Sequence, residues 1–184
     1  MNPAYIQPTA GYFDEDRLVE ASRQISGMYP NLEQINLRRP ASIIDSYGVT
    51  YGAGSLYTPE LQRQGASEHI WTDYIGLFKD NYLIEVCKAM ANTMSSVFGI
   101  EIGRARLMHV APKTNLTLHT DHGVQYRFHV PIVTNPGVFF VTNDEVERMP
   151  EVGRLYVYRT DVPHTVVNAS RSKRTHLVVS GWKK

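Results

Sequence analysis

Arg104-Ala105-Arg106-Leu107-Met108-His109-Val110 and Gln125-Tyr126-Arg127-Phe128-His129-Val130 decide the fold: both alternate residue character with the two-residue period of a half-buried strand. Short apolar runs follow at 138–141, 155–158, 165–167 and 177–179. Turn residues separate them at Asn135-Pro136-Gly137, 150–153 and 168–173. Six or seven short strands in about 80 residues, with no helical stretch among them, cannot form a parallel βαβ sheet. They predict an antiparallel sandwich or barrel.

Upstream the period changes. Asp14-Glu15-Asp16 followed by Leu18, Val19, Ser22 and Ile25 predicts a short capped helix ending near Gly27. Residues 30–57 are rich in Gly, Pro, Ser and Tyr and read as irregular or short-stranded. Thr58-Pro59-Glu60 has the form of a helix start. The strongest helix runs from Asn81 to Phe98, where Leu83, Val86, Cys87, Met90, Met94 and Val97 recur at three- and four-residue steps before Gly99. The expectation is one domain over 1–184, mainly β with flanking helices. A helical and irregular part, 1–100, would pack on a catalytic β core, 101–184.

Composition narrows the function. The 184 residues are 42% hydrophobic and 20% charged, which excludes wholesale disorder. Nineteen Lys and Arg against 18 Asp and Glu leave a net charge of +1, too balanced to predict a nucleic-acid partner. Cys87 is the lone cysteine, so neither an intrachain disulfide nor a cysteine-based metal site can form. The first residues lack a basic and then apolar secretory pattern, and no apolar run approaches the roughly 18 residues of a membrane span. A cytoplasmic protein with no membrane partner is expected; oligomeric state is open.

Five of the seven histidines fall between His109 and His164. His119-Thr120-Asp121 places an imidazole and a carboxylate two apart, on one side of an extended segment, where both can face one metal ion. With His164 as third ligand, the set is the two-histidine, one-carboxylate facial triad of non-haem Fe(II) oxygenases, which leaves positions open for a bidentate co-substrate and dioxygen. Arg174 lies ten residues beyond His164, across Asn168-Ala169-Ser170-Arg171-Ser172-Lys173. A hairpin centred near residue 169 would set Arg174 opposite His164, with its planar fork one small diacid's length from the metal. The charges agree: the ion with its three ligands, a dianionic co-substrate and an arginine sum to zero.

Together with the strand Arg127-Phe128-His129-Val130-Pro131, the stretch Gly153-Arg154-Leu155-Tyr156-Val157-Tyr158, Asn168 and Arg174-Thr175-His176-Leu177, these motifs resemble the aspartyl/asparaginyl β-hydroxylase family over about residues 104–182. The resemblance implies a double-stranded β-helix (jelly-roll, cupin-like) core. It implies an Fe(II)- and 2-oxoglutarate-dependent dioxygenase that hydroxylates a C–H bond of an amino acid or peptide side chain, releasing succinate and CO₂. His119, Asp121 and His164 would ligate iron, and Arg174 would hold the distal carboxylate of 2-oxoglutarate. Arg127 and His129 would help to hold that co-substrate. The tandem Tyr158-Arg159, with an acid only at Asp161, and Met108 or His109 before the His-x-Asp depart from the family pattern.

Each residue has a plainer reading. His119 and Asp121 could share a loop hydrogen bond, and Arg127 and His129 could face solvent. Arg174 could belong to the solvated basic run 171–174. His122 reads as a rim or substrate-side residue, His109 and His176 as ordinary strand residues, Asn168 as a turn holder and Cys87 as inert core. Tyr47–Tyr57 reads equally as a substrate lid or a loop. Two other functions share the motifs: a cupin-like metal enzyme that acts without 2-oxoglutarate, and a non-catalytic jelly-roll binding protein.

Overall fold

The computed structural model describes residues 4–40, 71–121 and 123–183. In chain order these form β1 (Ile6–Tyr12), α1 (Glu15–Met28), β2 (Gln34–Asn36), β3 (Arg38–Pro40) and β4 (Trp71–Tyr74). After a 3₁₀ turn at Gly76–Phe78 come α2 (Tyr82–Phe98), β5 (Ile100–Val110), β6 (Thr114–Asn115) and β7 (Tyr126–Val133). The chain then runs through β8 (Val138–Thr142), β9 (Glu145–Glu147), β10 (Arg154–Arg159), β11 (His164–Asn168) and β12 (Arg174–Lys183).

Both helices form where the sequence predicts. Asp14 accepts from the Arg17 N–H to cap α1, and Asn81 accepts from the Leu83 N–H to cap α2. Gly99 ends α2 in the left-handed region at φ 61°. Leu18, Ala21 and Ile25 of α1 are buried with Leu83, Val86, Cys87, Met90 and Met94 of α2.

The sheets are antiparallel and open. A six-stranded sheet runs β1-β10-β7-β12-β5-β2 and a four-stranded sheet runs β6-β11-β8-β9, with β3 and β4 as a separate pair. Two apolar cores divide the strands by parity. Ala105, Leu107, Phe128, Val130, Leu155, Leu177 and Val179 pack with the helices. The opposite face carries Val110, Tyr156 and Tyr158 into a second core with Val138, Phe140 and Val166 of the smaller sheet. This is the jelly-roll sandwich with helices against one outer face. Among the described residues no helix is long and apolar enough to cross a membrane.

The structure corrects three expectations. Residues 1–100 are not only helical and irregular: β2 and β3 are short strands within 30–57, where such strands are an open reading, and β1 and β4 are strands that the sequence does not mark. Pro8 is tolerated in β1 because that strand lies at the sheet edge. The strand predicted from Arg104 begins earlier, at Ile100. His164 and Arg174 do not share a hairpin: His164 pairs with Thr142 and Arg174 with Val110, so residues 169–173 carry the chain from one sheet to the other. The predicted helix start at Thr58 and the segment Tyr47–Tyr57 lie outside the described residues.

Gly153 fastens the helical layer to the large sheet. Its N–H donates to Pro131 O and its carbonyl accepts from the Phe13 N–H, both at 2.9 Å. A Cβ there, at φ +75°, would lie 2.5 Å from Phe13 O. Gly153→Ala is therefore expected to destabilise the fold by about 1–3 kcal/mol in urea titration. Gly27→Ala, inside α1 with no atom within 4 Å of the added carbon, is expected to be neutral or stabilising. Equal midpoints for the two variants would contradict this account.

Candidate metal and co-substrate site

Strand parity builds the site. The face turned away from the helices carries Arg106 and Met108 on β5, Arg127 and His129 on β7, and Arg174 and Val178 on β12, all lining one cavity between the sheets. The expected polar face of β7 is therefore not solvated: Arg127 is 5% exposed and His129 4%. From the smaller sheet His164 lines the same cavity, beside His119 and Asp121.

His119 and His164 meet as a single antiparallel bridge, each backbone N–H donating to the other's carbonyl at 3.0 and 2.8 Å. Their rings lie 4.4 Å apart. One possible ligand atom from each of His119, Asp121 and His164 falls within 4.8 Å of the other two. The tautomers are fixed by partners that can only accept. His119 Nδ1 lies 2.7 Å from Thr117 O, and His164 Nδ1 lies 2.9 Å from Val162 O. In a neutral ring that places the hydrogen on Nδ1 and leaves the lone pair on Nε2, the form a metal ligand takes. His119 Nε2 is 3.8 Å from Asp121 Oδ1.

Burial pushes the Asp121 carboxyl up, but the charge and hydrogen bond of Arg127 outweigh it and hold the group below the usual carboxylate range. Arg127 Nε donates to Asp121 Oδ2 at 2.7 Å, and its Nη1 donates to Ser180 Oγ. Burial also lowers His164, favouring the neutral imidazole.

Arg174 is fully buried, and burial brings its guanidinium down to about 9. Its Nη2 lies 2.6 Å from His176 Nδ1 and 3.3 Å from His129 Nδ1. Nε and Nη1 are buried with no hydrogen-bond partner among the described residues. Both imidazoles are held well below their ordinary value by burial and then by the Arg174 charge, so neither is a counter-ion. Orphaned donors on an enclosed cation suit an anionic ligand such as a carboxylate. The donor set of the triad likewise fits a divalent ion of the iron class.

The structure thus gathers His119, Asp121, His164, Arg127, His129 and Arg174 around one cavity. Arg174 comes from the facing sheet rather than from a hairpin partner. His122 lies outside the described residues. His176 was read as an ordinary strand residue, yet it sits against Arg174; their separation of two on β12 was the available signal. Arg106 and Thr160, which also line the cavity, carried no motif. His109 stands apart, between Ser26 of α1 and Thr175 of β12. Asn168 holds its turn, donating to Val110 O and Ser172 O. Cys87 is fully buried, its thiol pushed up to about 12 by burial.

The model of the family described as aspartyl/asparaginyl beta-hydroxylase matches residues 53–184. No curated protein matches the sequence significantly. A viral collagen prolyl hydroxylase from Paramecium bursaria Chlorella virus-1 superposes with a TM-score of 0.58 at 7% identity, over 98% of this chain and 91% of that one. A prolyl-4-hydroxylase from Pseudomonas putida gives 0.52 at 13% identity, over 97% and 92%. A Burkholderia pseudomallei oxidoreductase of the 2OG-Fe(II) oxygenase family gives 0.45 at 16% identity; 53% of this chain spans about half, 55%, of its length. At these identities the likenesses to the two prolyl hydroxylases show the fold alone.

The buried neutral histidines set a pH dependence. His109 is lowered to about 4 by burial and then by the Lys173 and Arg174 charges. Its folded value lies below the unfolded value of about 6.5, so the unfolded chain binds the proton first. Its contribution to stability is whole above pH about 6.5 and is lost as the pH falls toward 4, at up to about 1.4 kcal/mol per pH unit. Urea midpoints measured across that window are expected to fall with acidification, and more shallowly in His109→Gln. An unchanged slope in the variant would place the titration elsewhere.

Proposed function

The chain belongs to the aspartyl/asparaginyl β-hydroxylase family, and from that premise we propose that it is an Fe(II)- and 2-oxoglutarate-dependent dioxygenase hydroxylating a C–H bond of an amino acid or peptide side chain. The observation that carries the co-substrate assignment is Arg174, an enclosed cation with unpartnered donors that lines the same cavity as a set of metal-ligating type.

His119 Nε2, His164 Nε2 and an Asp121 oxygen would hold the iron, leaving half of an octahedral shell for other ligands. When bound, iron(II) and 2-oxoglutarate supply the dioxygen chemistry that oxidises the substrate and releases succinate and CO₂. Arg174 offers its unpartnered guanidinium donors to the distal carboxylate, while His176 and His129 lie against its Nη2. Arg127 and His129 line the wall beside the triad and add positive and hydrogen-bonding character there. The inner face of the larger sheet and Val166 of the smaller one exclude water from this end of the cavity.

The substrate approaches from the opposite side. The His119 side chain is 43% exposed against 5% for Asp121, so the site opens past His119. A cupin-like enzyme that works without 2-oxoglutarate would give Arg174 no anion to hold.

His164→Ala is expected to abolish substrate-stimulated succinate release. Arg174→Met is expected to raise the 2-oxoglutarate KM at least 30-fold, about 2 kcal/mol for a desolvated charge pair, while leaving the urea midpoint unchanged or higher. A wild-type KM in Arg174→Met, or succinate release from His164→Ala, would reject this assignment.

A further inference from the structure

The facial arrangement works only if Asp121 gives the metal one oxygen. A carboxylate gripping with both oxygens fills a fourth position and leaves two, too few for a chelating co-substrate together with dioxygen. Asp121 is short, buried and close to where the ion would sit, so its second oxygen needs a reason to stay away.

That reason is visible. Oδ1 faces His119 Nε2, whereas Oδ2 receives the Arg127 Nε hydrogen at 2.7 Å. The guanidinium is itself held, because Arg127 and Ser180 are direct register partners on β7 and β12 and Nη1 donates to the Ser180 hydroxyl. The Asp121 backbone is tied as well, its N–H donating to Thr160 O at 3.0 Å. Arg127, Asp121 and Ser180 are all at least nine-tenths buried, so water cannot readily replace either contact. Rotating the carboxylate to present both oxygens would strip a charge-assisted hydrogen bond from an enclosed arginine.

We propose that Arg127, steadied by Ser180, caps the outer oxygen of Asp121 and so keeps the metal carboxylate one-pronged, preserving the coordination position that the co-substrate and dioxygen need. The inference rests on the metal-binding reading above and gives Arg127 a positioning role besides any contact with the co-substrate. An arginine that merely neutralised Asp121 would change metal affinity but not the number of oxygens Asp121 contributes.

The test uses the full chain with Mn(II) alone, so that contacts between Arg127 and 2-oxoglutarate cannot enter. The number of metal-bound waters is counted from the broadening of the Mn(II) resonance in ¹⁷O-water. An octahedral ion with three protein donors retains about three waters. Arg127→Met, similar in length but without donors, is expected to lower the count to about two. Ser180→Ala, a small change that leaves the ion pair in place and guards against a folding failure of the first variant, is expected to fall between. Wild-type counts in both variants would overturn the proposal while leaving the metal site intact. Failure of the wild-type chain to bind Mn(II) would overturn the metal reading beneath it.

Discussion

A guanidinium enclosed between two sheets without a carboxylate beside it is the constraint on which the rest of this structure turns. Arg174 is kept charged in a place that opposes charge, and its immediate polar neighbours are two imidazoles that cannot compensate it. An isolated buried cation is tolerated where a ligand completes it. The same cavity contains a second incomplete set, the converging donors of His119, Asp121 and His164. One set calls for an anion and the other for a metal ion: an ion together with a molecule that has a carboxylate at one end and a chelating group at the other would satisfy both.

Strand periodicity is what allows a folded core and a charged cavity to coexist in so few residues. On β5, β7 and β12, residues of one parity bury apolar side chains against the helices, and those of the other parity build the site. The large sheet is thus stabilised from its helical side. Its inner face is free to carry three arginines and two histidines that a simple sandwich core would reject. The Arg127–Asp121 pair belongs to this economy, since each partner makes burial of the other tolerable.

Local chemistry was legible where it is encoded locally. Asp14 and Asn81 as caps, Gly99 as a stop and the three- and four-residue spacing along 83–94 marked the helices. The alternation at 125–130 marked β7. His119-x-Asp121 was readable because an extended segment turns such residues the same way. What escaped depended on contacts between distant segments. Residues 168–173 have a hairpin's composition, yet they bridge two sheets, and no local signal distinguishes the two. β1 includes Pro8 and Gly11, both poor strand formers, and exists because Ile6 to Tyr12 has β10 to pair with. His176 lay hidden within an apolar run, although its separation from Arg174 already placed both on one face.

The most direct test of the central claim is an anaerobic crystal structure of the chain with Mn(II) and 2-oxoglutarate. The account predicts one ion ligated by His119, His164 and a single oxygen of Asp121, chelated by the 2-oxo acid end of the co-substrate, with the far carboxylate on the Arg174 guanidinium. An ion bound elsewhere, or 2-oxoglutarate seated away from Arg174, would contradict it.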